Sequence, residues 1–117
     1  MTEADFDINS LNATSGLLIT AASLIFGMIG ENLFPGRFAI VSLCSALVML
    51  SIYTANPLMK RGAAKIFVIL YVFIHLAVIS IPGLKDSDFH PVLLMLFFIA
   101  DYVIMVILLR KIVLYRK

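Results

Sequence analysis

Long apolar runs separated by short polar turns constrain this chain more than any other feature of its sequence. A membrane-spanning helix needs roughly 20 apolar residues, so four such runs use nearly all of the 117 residues. Hydrophobic residues make up 62% of the chain and charged residues 14%, whereas soluble domains contain about half and about a quarter. We therefore predict an all-α integral membrane protein, a bundle of four transmembrane helices at residues 11–34, 38–55, 63–81 and 91–114.

The prolines support this division of the chain. All four fall at predicted helix boundaries, where a missing backbone N–H is tolerated best; they are Pro35, Pro57, Pro82 and Pro91. We predict a single transmembrane domain at residues 11–114, with an acidic polar tail at 1–10 and a basic tail at 110–117. The acidic tail contains no base, whereas a secretory signal needs a positively charged start, so we expect the first run to be a retained helix.

Basic residues cluster on one side of the predicted membrane. The loop after the second helix and the C-terminal tail hold seven of them, which leaves Arg37 and Lys85 on the other side. Because cytoplasmic segments are enriched in lysine and arginine, we expect both termini in the cytoplasm and the protein in a bacterial inner membrane. The residues that set this orientation are Lys60, Arg61, Lys65, Arg110, Lys111, Arg116 and Lys117.

Small residues in the first helix recur at alternating intervals of three and four, which places them on one side of that helix. They are Ala13, Gly16, Thr20, Ser23, Gly27 and Gly30. Such a stripe lets another helix approach closely, and close packing is a main source of helix association in lipid. The partner is either another helix of this chain or a second protein chain. At the end of the same helix, we expect Glu31 to pair with Arg37 across the turn.

A single acid, Asp101, interrupts the last apolar run at its midpoint. A charge at bilayer depth costs about 2.5–3.5 kcal/mol, so such a residue is a functional-site hypothesis. At about 1.5 Å per residue, His75 lies about 13 Å from one surface and Asp101 about 15 Å from the other, which puts both near the midplane. Helices joined by a short loop are antiparallel neighbours. We therefore predict that His75 and Asp101 meet, with Tyr71 one turn before His75 on the same face.

This predicted group has two interpretations. In the structural one, the His–Asp contact satisfies two polar groups in hydrocarbon and fixes the register of two helices. In the functional one, the group is a proton or ion site, because histidine titrates near neutral pH and intramembrane carboxylates mark ion pathways.

Other kinds of chemistry find little support in the sequence. It has no nucleophile–base arrangement, phosphate-binding glycine loop or cysteine cluster, so we expect no enzymatic activity and no metal site. A net charge of +2 gives no reason to expect nucleic acid as a partner. The two histidines, His75 and His90, are predicted at different depths. We therefore expect no cofactor in this chain alone, and a haem or quinone shared with a partner subunit is the alternative.

In size and helix number the chain is similar to small multidrug-resistance transporters and guanidinium-type exporters. Those families carry a glutamate in the middle of the first helix, whereas Glu31 stands at the end of that helix here. The chain also looks like membrane immunity proteins that protect bacteria from pore-forming toxins.

Three functional hypotheses follow. The first is a non-enzymatic subunit that acts through lateral helix contacts in a membrane complex, with a second copy or a larger membrane protein as its partner. The second is a small proton- or cation-coupled transporter or channel with Asp101 as the ion site. The third is a membrane immunity or defence protein. In all three, the lipid bilayer is the surrounding medium.

Overall fold

The computed structural model describes residues 11–115 of the chain. Within this range there are four helices long and apolar enough to cross a membrane. They are α1 (Ala13–Leu33), α2 (Phe38–Ala55), α3 (Gly62–Ile79) and α4 (Pro91–Tyr115). The predicted all-α four-helix fold is confirmed, and each predicted boundary lies within two residues of the observed one. The acidic tail at 1–10 and the bases Arg116 and Lys117 lie outside the described residues.

Helix α2 occupies the centre of the bundle. Inside the bundle, 56% of its membrane-spanning window is buried, against 17% for α1, 22% for α3 and 11% for α4. It packs against all three other helices, whereas α1 packs mainly against α2. Many buried residues of α2 are small, and small side chains let neighbouring backbones approach closely in lipid. These include Ser42, Ala46, Ser51 and Ala55.

The two ends of the bundle differ in their connections. At one end, called the Gly36 end, the α1–α2 turn meets the α3–α4 loop, and the Asp86 N–H donates to the Gly36 carbonyl at 2.7 Å. The opposite end, called the Pro57 end, contains the α2–α3 connection and the last turns of α4. Gly36 and Gly83 have φ angles of +87° and +77°, which residues with a side chain rarely adopt. Glycine is therefore required in both turns of the Gly36 end.

The described bases are distributed between these ends as the sequence predicts. Arg37 and Lys85 lie at the Gly36 end. The Pro57 end holds Lys60, Arg61, Lys65, Arg110 and Lys111. The assignment of the Pro57 end to the cytoplasm stays a prediction.

The half of the bundle nearer the Pro57 end is closely packed. On α4, Met105, Leu109 and Val113 are 0–1% exposed and follow one another at intervals of four, so they form one buried stripe. Asp101 stands one turn before Met105 on this same face. The buried positions of α3 are Ala64, Val68, Tyr71 and His75. The polar residues near the midplane therefore continue the stripes that form the core.

The small-residue stripe of α1 is divided into two halves. Ser23, Gly27 and Gly30 are buried, and a Cβ on Gly30 would lie 2.7 Å from a methyl group of Val41 on α2. This half brings the backbone of α1 directly onto α2, so its partner is a helix of the same chain. In the other half, Ala13 and Thr20 are exposed and Gly16 is half-buried.

Candidate functional site

The structure brings together the three residues that the sequence predicts to meet near the midplane. His75 Nε2 lies 2.6 Å from Asp101 Oδ2, and the Tyr71 hydroxyl donates to Asp101 Oδ1 at 2.7 Å. The Tyr71 and His75 rings are also in contact, with centroids 4.2 Å apart. The four-residue spacing of Tyr71 and His75 places both on the α3 face that meets α4.

The hydrogen-bond partners determine how many protons this group holds. His75 Nδ1 lies 2.8 Å from the backbone carbonyl of Tyr71, which only accepts, so Nδ1 carries a proton. The 2.6 Å contact between Nε2 and the Asp101 oxygen needs a second proton between the two atoms. Whether this proton sits on nitrogen or on oxygen, the His75–Asp101 pair has no net charge. A neutral pair is much less costly in hydrocarbon than a single charge.

Asp101 marks the boundary between the packed half of the bundle and a cavity. His75 and Tyr71 are 6% and 8% exposed, whereas the Asp101 side chain is 34% exposed. The cavity lies on the Gly36 side of the carboxylate, between α2, α3, α4 and the α3–α4 loop, and has a volume of about 230 Å³. Its lining residues are Ile40, Leu43, Cys44, Leu47, Ile74, His75, Val78, Leu84, Phe89, Leu94, Phe97, Phe98 and Asp101.

At the Gly36 end, two carboxylates hold the first turn of α2. Asp86, in the α3–α4 loop, accepts hydrogen bonds from the backbone N–H groups of Ala39 and Ile40 at 2.8 and 2.9 Å. Glu31, at the end of α1, accepts from those of Gly36 and Phe38 at 3.0–3.2 Å. Negative charge is favourable at a helix N-terminus, where these N–H groups have no helical partner.

The expected pairing of Glu31 with Arg37 is replaced by these contacts. The Arg37 side chain is buried, donates to the Ile79 carbonyl at the end of α3 at 2.6 Å, and lies over the Phe34 ring. Glu31 is instead satisfied by backbone donors, which are closer to it in the tight turn. Both residues thus fasten helix ends together at the Gly36 end.

Sequence reasoning overlooked Asp86 and the cavity. The start of α2 contains a signal for such a residue. Arg37, at the N-cap of α2, makes no side-chain hydrogen bond to the first turn. Another residue must therefore accept from the first backbone N–H groups of the helix. The cavity had no such signal, because the part of α4 before Asp101 is apolar on every side and its periodicity does not reveal which residues line a cavity. Cys44, the single cysteine, lines this cavity.

One further polar contact joins helices inside the membrane region. The Thr54 and Tyr102 hydroxyl groups lie 3.0 Å apart and connect α2 with α4. Within residues 11–115, no three His, Cys, Asp or Glu side chains gather in a way that could hold a metal ion.

Compared with models of known families, with curated proteins and with solved structures, the chain matches none of them. We therefore infer its function from the geometry of the site alone.

Proposed function

We propose that this small integral membrane protein is a non-enzymatic carrier that exchanges a proton for a cation at Asp101. The observation that supports the proposal is the position of this carboxylate: Asp101 is among the residues that line a cavity, and its side chain is 34% exposed. Intramembrane acids that face a cavity mark ion and proton pathways. An acid that served only to hold two helices together would have no need of a cavity.

The shared proton gives this site a way to couple two ions. Without a cation, the His75–Asp101 pair holds one exchangeable proton and is neutral. A monovalent cation next to Asp101 would add a charge in a region of low dielectric, so the pair releases its proton to water in the cavity and the site stays neutral. When the cation leaves, the His75–Asp101 pair binds a proton again. One proton is therefore released for each cation that binds, so the two ions cross the membrane in opposite directions.

The two halves of the bundle suit such an exchange. On the Gly36 side the carboxylate meets the cavity, and on the Pro57 side Tyr71, Met105 and Leu109 are buried and close the path. A carrier needs a central site that is reached from one side at a time. In our proposal, the described arrangement is the state in which Asp101 is reached from the Gly36 side.

The test uses the purified chain in liposomes with an acidic lumen and a pH-sensitive dye inside. We expect addition of an external cation, from a series of sodium, potassium and organic ammonium ions, to raise the luminal pH with the wild type. Asp101→Asn should abolish this response, while the control Thr54→Val, which alters an intramembrane contact outside the site, should retain it. If no cation raises the luminal pH, or if Asp101→Asn responds like the wild type, the carrier proposal is wrong.

A second candidate function is a subunit of a membrane complex. The observation that favours it is the uncovered half of the α1 stripe, formed by Ala13, Gly16 and Thr20. Gly27 and Gly30 are covered by α2, so substitutions there would disturb this chain rather than an assembly. Gly16→Leu tests the idea, because it should dissociate an oligomer or a bound partner in mild detergent without loss of helix content. A wild-type chain that is monomeric and without a partner in native membranes would contradict the subunit role.

A further inference from the structure

We propose that a groove between α1 and α2 at the Pro57 end binds an anionic phospholipid, with an acyl chain in the groove and the headgroup phosphate beside Lys60. This groove shares no lining residue with the cavity beside Asp101. The lipid site therefore goes beyond the carrier proposal and does not depend on it.

The groove exists because α1 and α2 are in close contact over only part of their length. Gly27 and Gly30 bring the two backbones together in the Gly36 half, and helices that cross at an angle separate away from the point of contact. Toward the Pro57 end they leave a groove of about 590 Å³, lined from residues 15–22 of α1 and 49–56 of α2. None of the α1 residues that line it is buried. At 3.6 residues per turn, the groove follows each helix for about two turns.

The lining changes from apolar to polar along the groove. Five of the eight lining residues are leucine, isoleucine, alanine or methionine, whereas the three polar ones, Ser15, Tyr53 and Asn56, all stand in the terminal turns at the Pro57 end. A phospholipid has the same order, with its chains toward the midplane and its headgroup at the surface. The volume is about four times the roughly 150 Å³ that holds benzene in an engineered cavity, which suits a long chain better than a single ring.

The charges at this end favour an anionic headgroup. The described acids are Glu31, Asp86 and Asp88 at the Gly36 end and Asp101 near the midplane. The described part of the Pro57 end therefore holds bases and no acid. The tail that precedes α1 adds three acids in the sequence, and the seven bases assigned to this side outnumber them. Basic residues next to a membrane-spanning helix attract anionic lipids.

Among these bases, the chain geometry places Lys60 next to the groove. The Met59 N–H donates to the Asn56 carbonyl at 3.2 Å, so the chain turns directly after α2. A second turn closes between Leu58 and Arg61 at 3.0 Å. Lys60 thus lies about one turn from Asn56, which lines the groove, and it is exposed. Its ammonium group can reach a phosphate at the polar end of the groove.

Lys111 provides a matched control for Lys60. It is an exposed lysine at the same end of the bundle, but it belongs to α4, which contributes no residue to the groove. It stands two residues after Leu109 and two before Val113, both of which are buried. Because a two-residue step turns a helix by about 200°, Lys111 points away from the bundle.

The test measures lipid binding to the full chain in dodecyl maltoside by native mass spectrometry. Dioleoyl phosphatidylglycerol and dioleoyl phosphatidylcholine have the same chains and differ in headgroup charge. We expect the anionic lipid to bind at least about fivefold more tightly, which is the effect of one base near the headgroup. Glycerol 1-phosphate, which has the phosphate without the chains, should not displace it. Displacement would identify a site for free phosphate and overturn the lipid inference.

Two pairs of variants locate the lipid in this groove. Lys60→Gln should remove the preference for the anionic lipid, whereas Lys111→Gln should retain it. Ala22→Phe places a ring in the groove without a change of charge and should lose the binding of both lipids. Ala21→Phe, at an exposed neighbour that does not line the groove, should bind them as the wild type does.

Three results would overturn the inference. Equal affinity for the two lipids would show that headgroup charge does not matter. Equal effects of Lys60→Gln and Lys111→Gln would show a general attraction of lipid to this end rather than a site. A wild-type dimer without bound lipid that Ala22→Phe dissociates would show that a second copy of the chain occupies the groove.

Discussion

Replacing both members of the His75–Asp101 pair by leucine separates its contribution to folding from its contribution to function. His75 Nε2 and Asp101 Oδ2 lie 2.6 Å apart, so each single substitution removes the partner of the other group. His75→Leu leaves a carboxylate whose remaining partner is Tyr71. Asp101→Leu leaves a neutral histidine, whose Nδ1–H still donates to the Tyr71 carbonyl, and a Tyr71 hydroxyl without its acceptor. The double variant removes the polar pair as a whole.

The expected free energies follow from these differences. Removing one partner of a buried ion pair costs about 3–5 kcal/mol, whereas replacing the whole pair by apolar residues is often neutral or stabilising. Asp101 is partly exposed, so we expect His75→Leu to lower the free energy of unfolding by about 3 kcal/mol, at the low end of that range. Asp101→Leu should cost about 1–3 kcal/mol, because it leaves the Tyr71 hydroxyl without its acceptor. The double variant leaves no uncompensated charge but the same unpaired Tyr71 hydroxyl, so it should cost about the same 1–3 kcal/mol as Asp101→Leu, well below the sum of the two single variants.

Reversible unfolding in mixed micelles, followed by circular dichroism, measures all four proteins under one set of conditions. Thr54→Val, Tyr102→Phe and their double variant form the matched control cycle, because they remove an uncharged contact between α2 and α4. For that cycle we expect a coupling energy of about 0.6 kcal/mol, the average for hydrogen bonds inside membrane proteins. If the His75–Asp101 double variant loses as much stability as the two single variants combined, the pair is not energetically coupled and the reasoning is refuted.

Four further substitutions test the packing, the cap of α2 and the second partner of the carboxylate. Gly27→Ala should cost about 1–3 kcal/mol of unfolding free energy because its Cβ would overlap the Ser42 hydroxyl. Gly16→Ala, with its nearest contact at 3.9 Å, should gain up to about 1 kcal/mol; equal effects of the two in the unfolding assay would contradict the packing of α1 on α2. Asp86→Ala should cost about 0.5–2 kcal/mol and speed hydrogen exchange at Ala39 and Ile40, and unchanged exchange there would show that Asp86 does not cap α2. Tyr71→Phe should cost about 1 kcal/mol through the lost hydrogen bond to Asp101, and an unfolding free energy equal to that of the wild type would argue against this bond.

The sequence was sufficient for the fold and for the residues at the midplane. Apolar length and the positions of the prolines located every helix within two residues, because bilayer thickness imposes a length that soluble proteins do not share. His75 and Asp101 could be placed together because a short loop makes α3 and α4 antiparallel, so that rise per residue alone gives their depth. Polar residues in an apolar helix also reveal the side that faces the bundle.

Other features depended on contacts that a sequence pattern does not contain. Asp86 can cap α2 only because the α3–α4 loop lies against the start of α2. Asp86 and Ile40, which are in contact there, are forty-six residues apart along the chain. The stripe of α1 was correctly identified as a contact surface, but only the structure distinguishes Gly27 and Gly30, which α2 covers, from Gly16, which it does not. Periodicity gives the side of a helix, whereas the length over which a neighbour follows that side depends on how the two helices cross.

The contact between Thr54 and Tyr102 bears on the choice between a structural and a functional His75–Asp101 pair. These two hydroxyl groups join α2 and α4 without any charge, so this bundle contains an uncharged means of fixing helix register. A pair needed only for register could have been built in the same way between α3 and α4. Asp101 instead combines a shared proton, a neighbouring cavity and a partly exposed carboxylate. Register requires none of these three properties, whereas the exchange that we propose needs a titratable group that a cation can reach.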